Sequence, residues 1–296
     1  VFPRLSDLVN YFLGTRLTFP GYTFGFMFFL ATGIGFFVAY LELKRRGNNG
    51  QIPVDSKKFI LYFIGISVIS CLFGMKLFHI FDHWDQFTSD PFMVFFPFKG
   101  LSYYGGLIFG CIGVIWYARH KNISHPHALD ILALVNLIGY AIGRLGCQLS
   151  GDGCWGIPNT MPKPGWLSFL PDWAWAFSYP HNTIKKGIRM SDCAGEYCFT
   201  LPGPVFPTPI YEAFLAMVAF IILWSIRKKI TIPGWIFSIF LIFYSFMRFF
   251  IEFIRVNPKY SFLGMTLSQA QYISILAFLT GIASFWYFRW RYLRRV

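Results

Sequence analysis

Gly143-Arg144-Leu145-Gly146-Cys147-Gln148-Leu149-Ser150-Gly151-Asp152-Gly153-Cys154-Trp155-Gly156 closes an apolar segment that begins near Ala128. It puts an arginine where a membrane span should carry only carbon. Such a charge costs roughly 2.5–3.5 kcal/mol on insertion scales unless a partner or water relieves it. The glycines, followed by Ile157-Pro158-Asn159, forbid a plain helix to the end. They let the backbone approach a ligand and leave amides free for an anion. The plainer reading is a span end with glycine packing and a snorkelling arginine.

Composition sets the fold class. The chain has 296 residues, 55% hydrophobic and 21% aromatic, but only 13% charged, about half the charge of a soluble domain. Mean hydropathy is +0.51. Several apolar runs exceed the roughly 20 residues that cross a bilayer. The expectation is an all-α polytopic membrane protein, one domain over 1–296, with seven transmembrane helices at about 20–43, 58–80, 101–119, 127–149, 208–226, 231–251 and 268–289. Residues 157–207, broken by prolines and carrying Trp166, Trp173 and Trp175, read as a small periplasmic head between spans four and five. Residues 1–18 place Phe2, Leu5, Leu8, Val9, Phe12 and Leu13 at helical spacing, as in an interfacial helix. No cleavable signal peptide is read.

The net charge of +13 comes from short basic clusters between apolar runs. These are topogenic charges facing anionic lipid, so nucleic acid is not a partner. More than half of the 26 basic residues fall on one side, at 44–46, 57–58, 119–121, 227–229 and 289–295. That puts the N-terminus outside, the C-terminus in the cytoplasm and the signature at the periplasmic mouth of span four.

Polar residues inside the apolar runs mark a candidate site. Tyr244, Arg248, Glu252 and Arg255 are spaced four, four and three apart, on one helical face. Such a ladder must face the bundle interior or a wet cavity. A packing lattice of ion pairs is the alternative, against which Arg144 and Lys76 add positive charge without matching acids. Glu212 follows Pro207 and Pro209 in the first turns of span five, where the dipole favours it. Span three opens with Ser102-Tyr103-Tyr104-Gly105-Gly106, and Gly106 with Gly110 makes a small-xxx-small contact. A cavity of arginines, acids, tyrosines and glycine backbone suits the phosphate of an anionic lipid head group, because guanidinium binds two oxygens at once.

His79, Asp82 and His83 have metal-like spacing but lack a third ligand, and no metal or cofactor is expected. Cys193 and Cys198 lie five apart in the polar head, without histidines at zinc-finger spacing, and read as a disulfide if the head is periplasmic. Cys147 and Cys154, which flank the signature, are the alternative pair.

With these residues in view, the chain resembles the prolipoprotein diacylglyceryl transferases of bacterial inner membranes. The resemblance runs in order through Phe24-Gly25, Gly74-Met75-Lys76, residues 102–110, Gly-Arg-Leu-Gly at 143–146, residues 207–212 and 244–255. It implies transfer of a diacylglyceryl group from phosphatidylglycerol to the thiol of a cysteine in a prolipoprotein signal peptide. The products are a thioether and glycerol phosphate. By match, Arg144 and Arg248 clamp the departing phosphate, Glu252 orients Arg248, and Arg255 supports Glu252. Lys76, Gly105, Gly106, Gly143, Gly146, Asp152, Gly156, Glu212 and Tyr244 line the substrate site. The chain departs from the family pattern at Tyr104, where histidine is usual, and at Cys147, where asparagine is usual. Phe24 and Phe206 also replace a tyrosine and a histidine, and the signature is one residue longer around 151–154. The resemblance leaves the thiol's proton acceptor open between Tyr104 and Asp152 acting through water. A phospholipid-binding or assembly subunit of a membrane complex, without catalysis, is the rival reading. A transporter is disfavoured because no repeat or pair of broken helices is present.

Overall fold

The computed structural model describes residues 1–52, 57–92, 102–121, 123–193, 195–262 and 264–294. It is mostly helical. A short helix α1 (Leu5–Leu13) ends at Gly14, whose φ of +63° gives the left-handed cap that stops it, and leaves Tyr11, Phe12 and Leu13 exposed. Long helices follow: α2 (Thr23–Asn48), α3 (Lys57–Asp82), then the short α4 (Trp84–Ser89), α5 (Tyr103–His120), α6 (His125–Ser150), α7 (Thr208–Ile226), α8 (Trp235–Ile251) and α9 (Gln269–Leu293). Among the described residues six helices are long and apolar enough to cross a membrane: α2, α3 from Leu61, α6, α7, α8 extended to Ile254, and α9. The span read at 101–119 corresponds to α5, 18 residues long, and residue 101 lies outside the described residues.

The chain forms two compact units. One comprises Val1–Gly35, Asn136–Lys229 and Ser238–Trp286; the other comprises Phe36–Val135, Ile230–Phe237 and Tyr287–Val296. In the first, α7 buries Ala213, Ala216, Ala219 and Leu223 along one stripe, at intervals of three or four residues. Phe214, Ile221 and Ile222 on its other faces are exposed, as side chains meeting lipid tails would be. Between α6 and α7 lies a compact segment with its own core of Trp155, Tyr179, Leu201 and Val205. There β1 (Ile188–Arg189) pairs antiparallel with β2 (Phe199–Thr200), and a disulfide joins Cys193 to Cys198. A hairpin of β3 (Lys259–Phe262) and β4 (Met265–Ser268) connects α8 to α9.

In the second unit α3 and α5 meet through glycine. A Cβ on Gly74 would lie 2.2 Å from the Gly105 carbonyl oxygen, and one on Gly106 would lie 2.6 Å from Met75. Only hydrogen fits at these positions. The core is Leu43, Phe63, Val114, Tyr117, Ala118 and Ile131. Beside it Arg46 is held by Glu42 at 2.9 Å and Asp130 at 3.3 Å. Asp130 also accepts the Gly234 and Phe237 amides, each at 2.9 Å, and so caps the start of α8.

Candidate active site

The signature arginine is built into the end of α6. Arg144 Nε lies 2.7 Å from Glu212 Oε2, which is fully buried in the first turns of α7. Glu212 is a hub. It accepts the Tyr140 hydroxyl through Oε2, pairs with Arg255 Nη1 at 3.1 Å, and has Arg248 Nη1 at 3.8 Å. Arg248 is held more closely by Glu252, at 2.8 Å along α8. Asn257 donates to the other oxygen of Glu252, and Arg255 Nε is 3.8 Å from the first. Tyr140 sits four residues before Arg144. Its ring lies under the guanidinium at 4.9 Å and edge-on to Tyr244 at 5.3 Å.

The ladder from Tyr244 to Arg255 is not one continuous helix face. The α-helix ends at Ile251, residues 252–254 form a 3-10 turn, and Arg255 is extended. Gly156 meets the strand-like end of this segment. It pairs as a β-bridge with Arg255, and a Cβ there would stand 2.3 Å from the Ile254 carbonyl oxygen. Freed from the helix, Arg255 reaches sideways to both Glu212 and the Cys154 carbonyl, the latter at 3.0 Å.

The signature loop follows. Gly151 and Gly153 adopt φ of +62° and +94°, a region side-chain-bearing residues disfavour, and this turns the chain back on itself. Asp152 Oδ1 accepts the Cys154 amide at 3.2 Å. Cys147, nearly buried, lies 4.0 Å from Arg144 Nη1.

Of the residues read from sequence, the structure brings together Arg144, Arg248, Glu252, Arg255, Glu212 and Tyr244, with Asp152 and Gly156 on the adjoining loop. A Cβ on Gly143 would meet nothing within 4 Å, whereas one on Gly146 would stand 2.9 Å from Met27 of α2. Lys76, Tyr104, Gly105 and Gly106 belong to the second unit, where Gly105 and Gly106 serve the contact with α3. Sequence reasoning missed Tyr140, whose spacing from Arg144 was the available signal. It reads Glu212 as part of the substrate site, and the structure sets that carboxylate among Arg144, Arg248 and Arg255.

Among the described residues of this buried cluster three guanidiniums stand against two carboxylates, one positive charge in excess. Uncompensated buried charge is costly, so the arrangement is suited to an anion with the geometry of a phosphodiester. This is a polytopic helical membrane protein with an arginine cluster at the end of its spans. The family model for prolipoprotein diacylglyceryl transferase matches residues 15–287, and the chain belongs to that family. Similar relatives include a phosphatidylglycerol–prolipoprotein diacylglyceryl transferase of Halalkalibacterium halodurans, 28% identical over 92% of this chain and 83% of the relative. Enzymes of the same name from Prochlorococcus marinus (26%; 90% and 88%) and Chlorobaculum tepidum (28%; 84% and 81%) are also similar.

Proposed function

We propose that this chain transfers the diacylglyceryl group of phosphatidylglycerol to the lipobox cysteine of prolipoprotein signal peptides, the first step of lipoprotein maturation. The observation that carries the reading is the one-charge cationic excess of the buried Arg144–Arg248–Arg255 cluster, which matches a phosphodiester monoanion. In the reaction the acceptor sulfur attacks the glyceryl carbon, and the carbon–oxygen bond to phosphate breaks. Charge gathers on the departing glycerol phosphate, and fixed guanidiniums that need no rearrangement stabilise it. Arg144 and Arg248 hold that phosphate. Glu252 fixes the Arg248 fork, and Glu212 keeps Arg144 and Arg255 facing the same space. Tyr104, assigned by its place in the family pattern, is the candidate acid–base group on span three.

The same reading places the protein in the bacterial inner membrane with seven spans, the N-terminus and the 157–207 head in the periplasm and the C-terminus in the cytoplasm. Its partners are phosphatidylglycerol, membrane lipid and prolipoprotein signal peptides.

The test is transfer by purified full-length protein in phosphatidylglycerol vesicles to a synthetic lipobox peptide, read as the mass gain of the peptide. Transfer that disappears when the peptide cysteine is replaced by serine supports the reading. Bound phosphatidylglycerol with no transfer to any lipobox peptide overturns it and leaves a lipid-binding subunit.

A further inference from the structure

Residues 157–175 carry four prolines, at 158, 162, 164 and 171, and two charges, Lys163 and Asp172. Proline fixes φ and has no amide to satisfy, so such a stretch can fold tightly outside helix and sheet. It forms two 3-10 turns, Gly165–Leu167 and Asp172–Ala174. The amides of Leu167, Ser168, Leu170, Ala174 and Trp175 donate to carbonyls three residues back, at 2.9–3.1 Å. Lys163 turns onto the same stretch, its Nζ 2.7 Å from the Leu170 carbonyl oxygen and 2.6 Å from Asp172 Oδ1. The loop therefore cancels its own charges and makes much of its own hydrogen bonding. What it presents outward is apolar. Trp166 in the first turn, Trp173 in the second and Phe169 between them are 75%, 46% and 76% exposed. The later part of the segment differs, with Lys185, Lys186, Arg189, Asp192 and Glu196 as its exposed charges.

The foot of α7 fixes where this loop stands. The Trp175 carbonyl accepts the hydroxyl of Tyr211, in the first turn of that helix, at 3.3 Å. The Trp175 indole meets Phe206, two residues before the helix, edge-on at 5.7 Å. Phe214, one turn further along α7, is exposed on a face that meets lipid tails. The loop is thus anchored where a membrane span leaves the hydrocarbon. Helix α1 lies at the same end. The Phe2 amide donates to the Leu149 carbonyl in the last turn of α6 at 2.7 Å, and Tyr11, Phe12 and Leu13 stand exposed. Backbone groups that are already paired can leave water at little cost, whereas unpaired ones cannot. Tryptophan suits this level of a bilayer, with an apolar ring and a polar N–H.

We infer that the loop at 160–173 seats in the bilayer interface, in the leaflet where α7 begins, with Trp166, Phe169 and Trp173 among the headgroups and upper acyl chains. Lipid is the occupant because the loop is fixed to the end of a span, carries no net charge and stands one helical turn from a side chain that faces the tails. The three rings hold the segment between α6 and α7 against the membrane surface. The inference needs only that α7 crosses the bilayer, and it holds whether or not the chain transfers lipid.

The experiment uses full-length protein in vesicles of phosphatidylglycerol and phosphatidylcholine. The photoreactive p-benzoylphenylalanine in place of Phe169 exchanges ring for ring on an exposed side chain, so the thermal midpoint in detergent should match wild type. On irradiation it should form phospholipid adducts, read as a mass gain of the chain, with a yield comparable to that of the same probe in place of Phe214. The probe in place of Lys186, in the charged part of the segment, should form none. A clear lipid adduct at Phe214 with none at Phe169, or equal adducts at Phe169 and Lys186, would overturn the inference. In native membranes, an adduct at Phe169 to a second protein in place of lipid would assign the surface to a protein partner and overturn it as well. Trp166→Phe supplies an independent measurement. The fluorescence it removes should be the part quenched by lipid brominated on its upper acyl chains. If that part is instead quenched only by acrylamide in the water, the loop stands clear of the bilayer and the inference falls.

Discussion

Arg144 and Glu212 are joined at 2.7 Å, and the carboxylate has no solvent-exposed surface. Two spans are thereby tied by a buried ion pair at the point where the sequence places its signature. One acid serves three arginines, so its removal should be felt more than that of any of them.

Glu212→Gln keeps the shape and removes the charge. Breaking a buried pair of this kind costs about 3–5 kcal/mol, because the partner charges stay buried. Thermal unfolding in detergent should show a clear drop in midpoint. A midpoint equal to wild type would mean that the arginines are balanced by something other than Glu212.

Arg144→Ala and Arg248→Ala should each lower kcat for peptide transfer by roughly 100- to 1,000-fold, the usual effect of removing one charge-stabilising donor. Arg→Lys at either position should recover little, because an ammonium lacks the planar fork. Full activity in the lysine variants would show that the phosphate needs charge there and no directed hydrogen bonds.

Tyr140→Phe keeps the ring beneath Arg144 and against Tyr244 but removes the hydroxyl from Glu212. A hydrogen bond to a charged group contributes about 1.5–3 kcal/mol. The variant should unfold at lower temperature, and its transfer rate should fall by about ten-fold per 1.4 kcal/mol lost from the transition state. Rate loss without any loss of stability would place the phenol on substrate.

Two glycines of the first unit make a matched pair. Gly156→Ala sets a methyl against the Ile254 carbonyl and should destabilise the protein or abolish its expression. Gly139→Ala meets nothing within 4 Å in the interior of α6 and should stabilise by about 0.5–1 kcal/mol through helix propensity. Comparable midpoints for the two would sink the claim that the bridge to Arg255 requires a bare backbone at 156.

Membrane orientation is open to direct labelling. With other reactive cysteines blocked, Asn48→Cys should resist an impermeant maleimide added from the periplasm and react once the membrane is opened. Labelling in intact spheroplasts would invert the topology read from the charge clusters.

The long helices were legible because apolar runs of about 20 residues have few alternatives to a helix crossing lipid. Arg144, Arg248 and Glu252 were legible for a related reason: charge inside such a run demands a partner. The partners themselves were not. Glu212 lies 68 positions after Arg144, 36 before Arg248 and 43 before Arg255, and only the packing of α6, α7 and α8 makes it their common counter-ion. The hairpin at 259–268 falls between the spans read at 231–251 and 268–289, where Lys259-Tyr260-Ser261 gives only a weak alternation. The extended Arg255 after Ile251 is bridged to a glycine nearly a hundred residues earlier, a pairing no local pattern reveals.

The joint at Gly156 also limits how the protein can move. Its amide donates to Phe206, the Ile157 amide donates to Ile254, and the Cys154 carbonyl receives both Thr208 and Arg255. The signature loop is thus riveted to the foot of one span and the tail of another. Neither span end can shift without carrying the loop, so the glycine turn moves as one piece with the two spans.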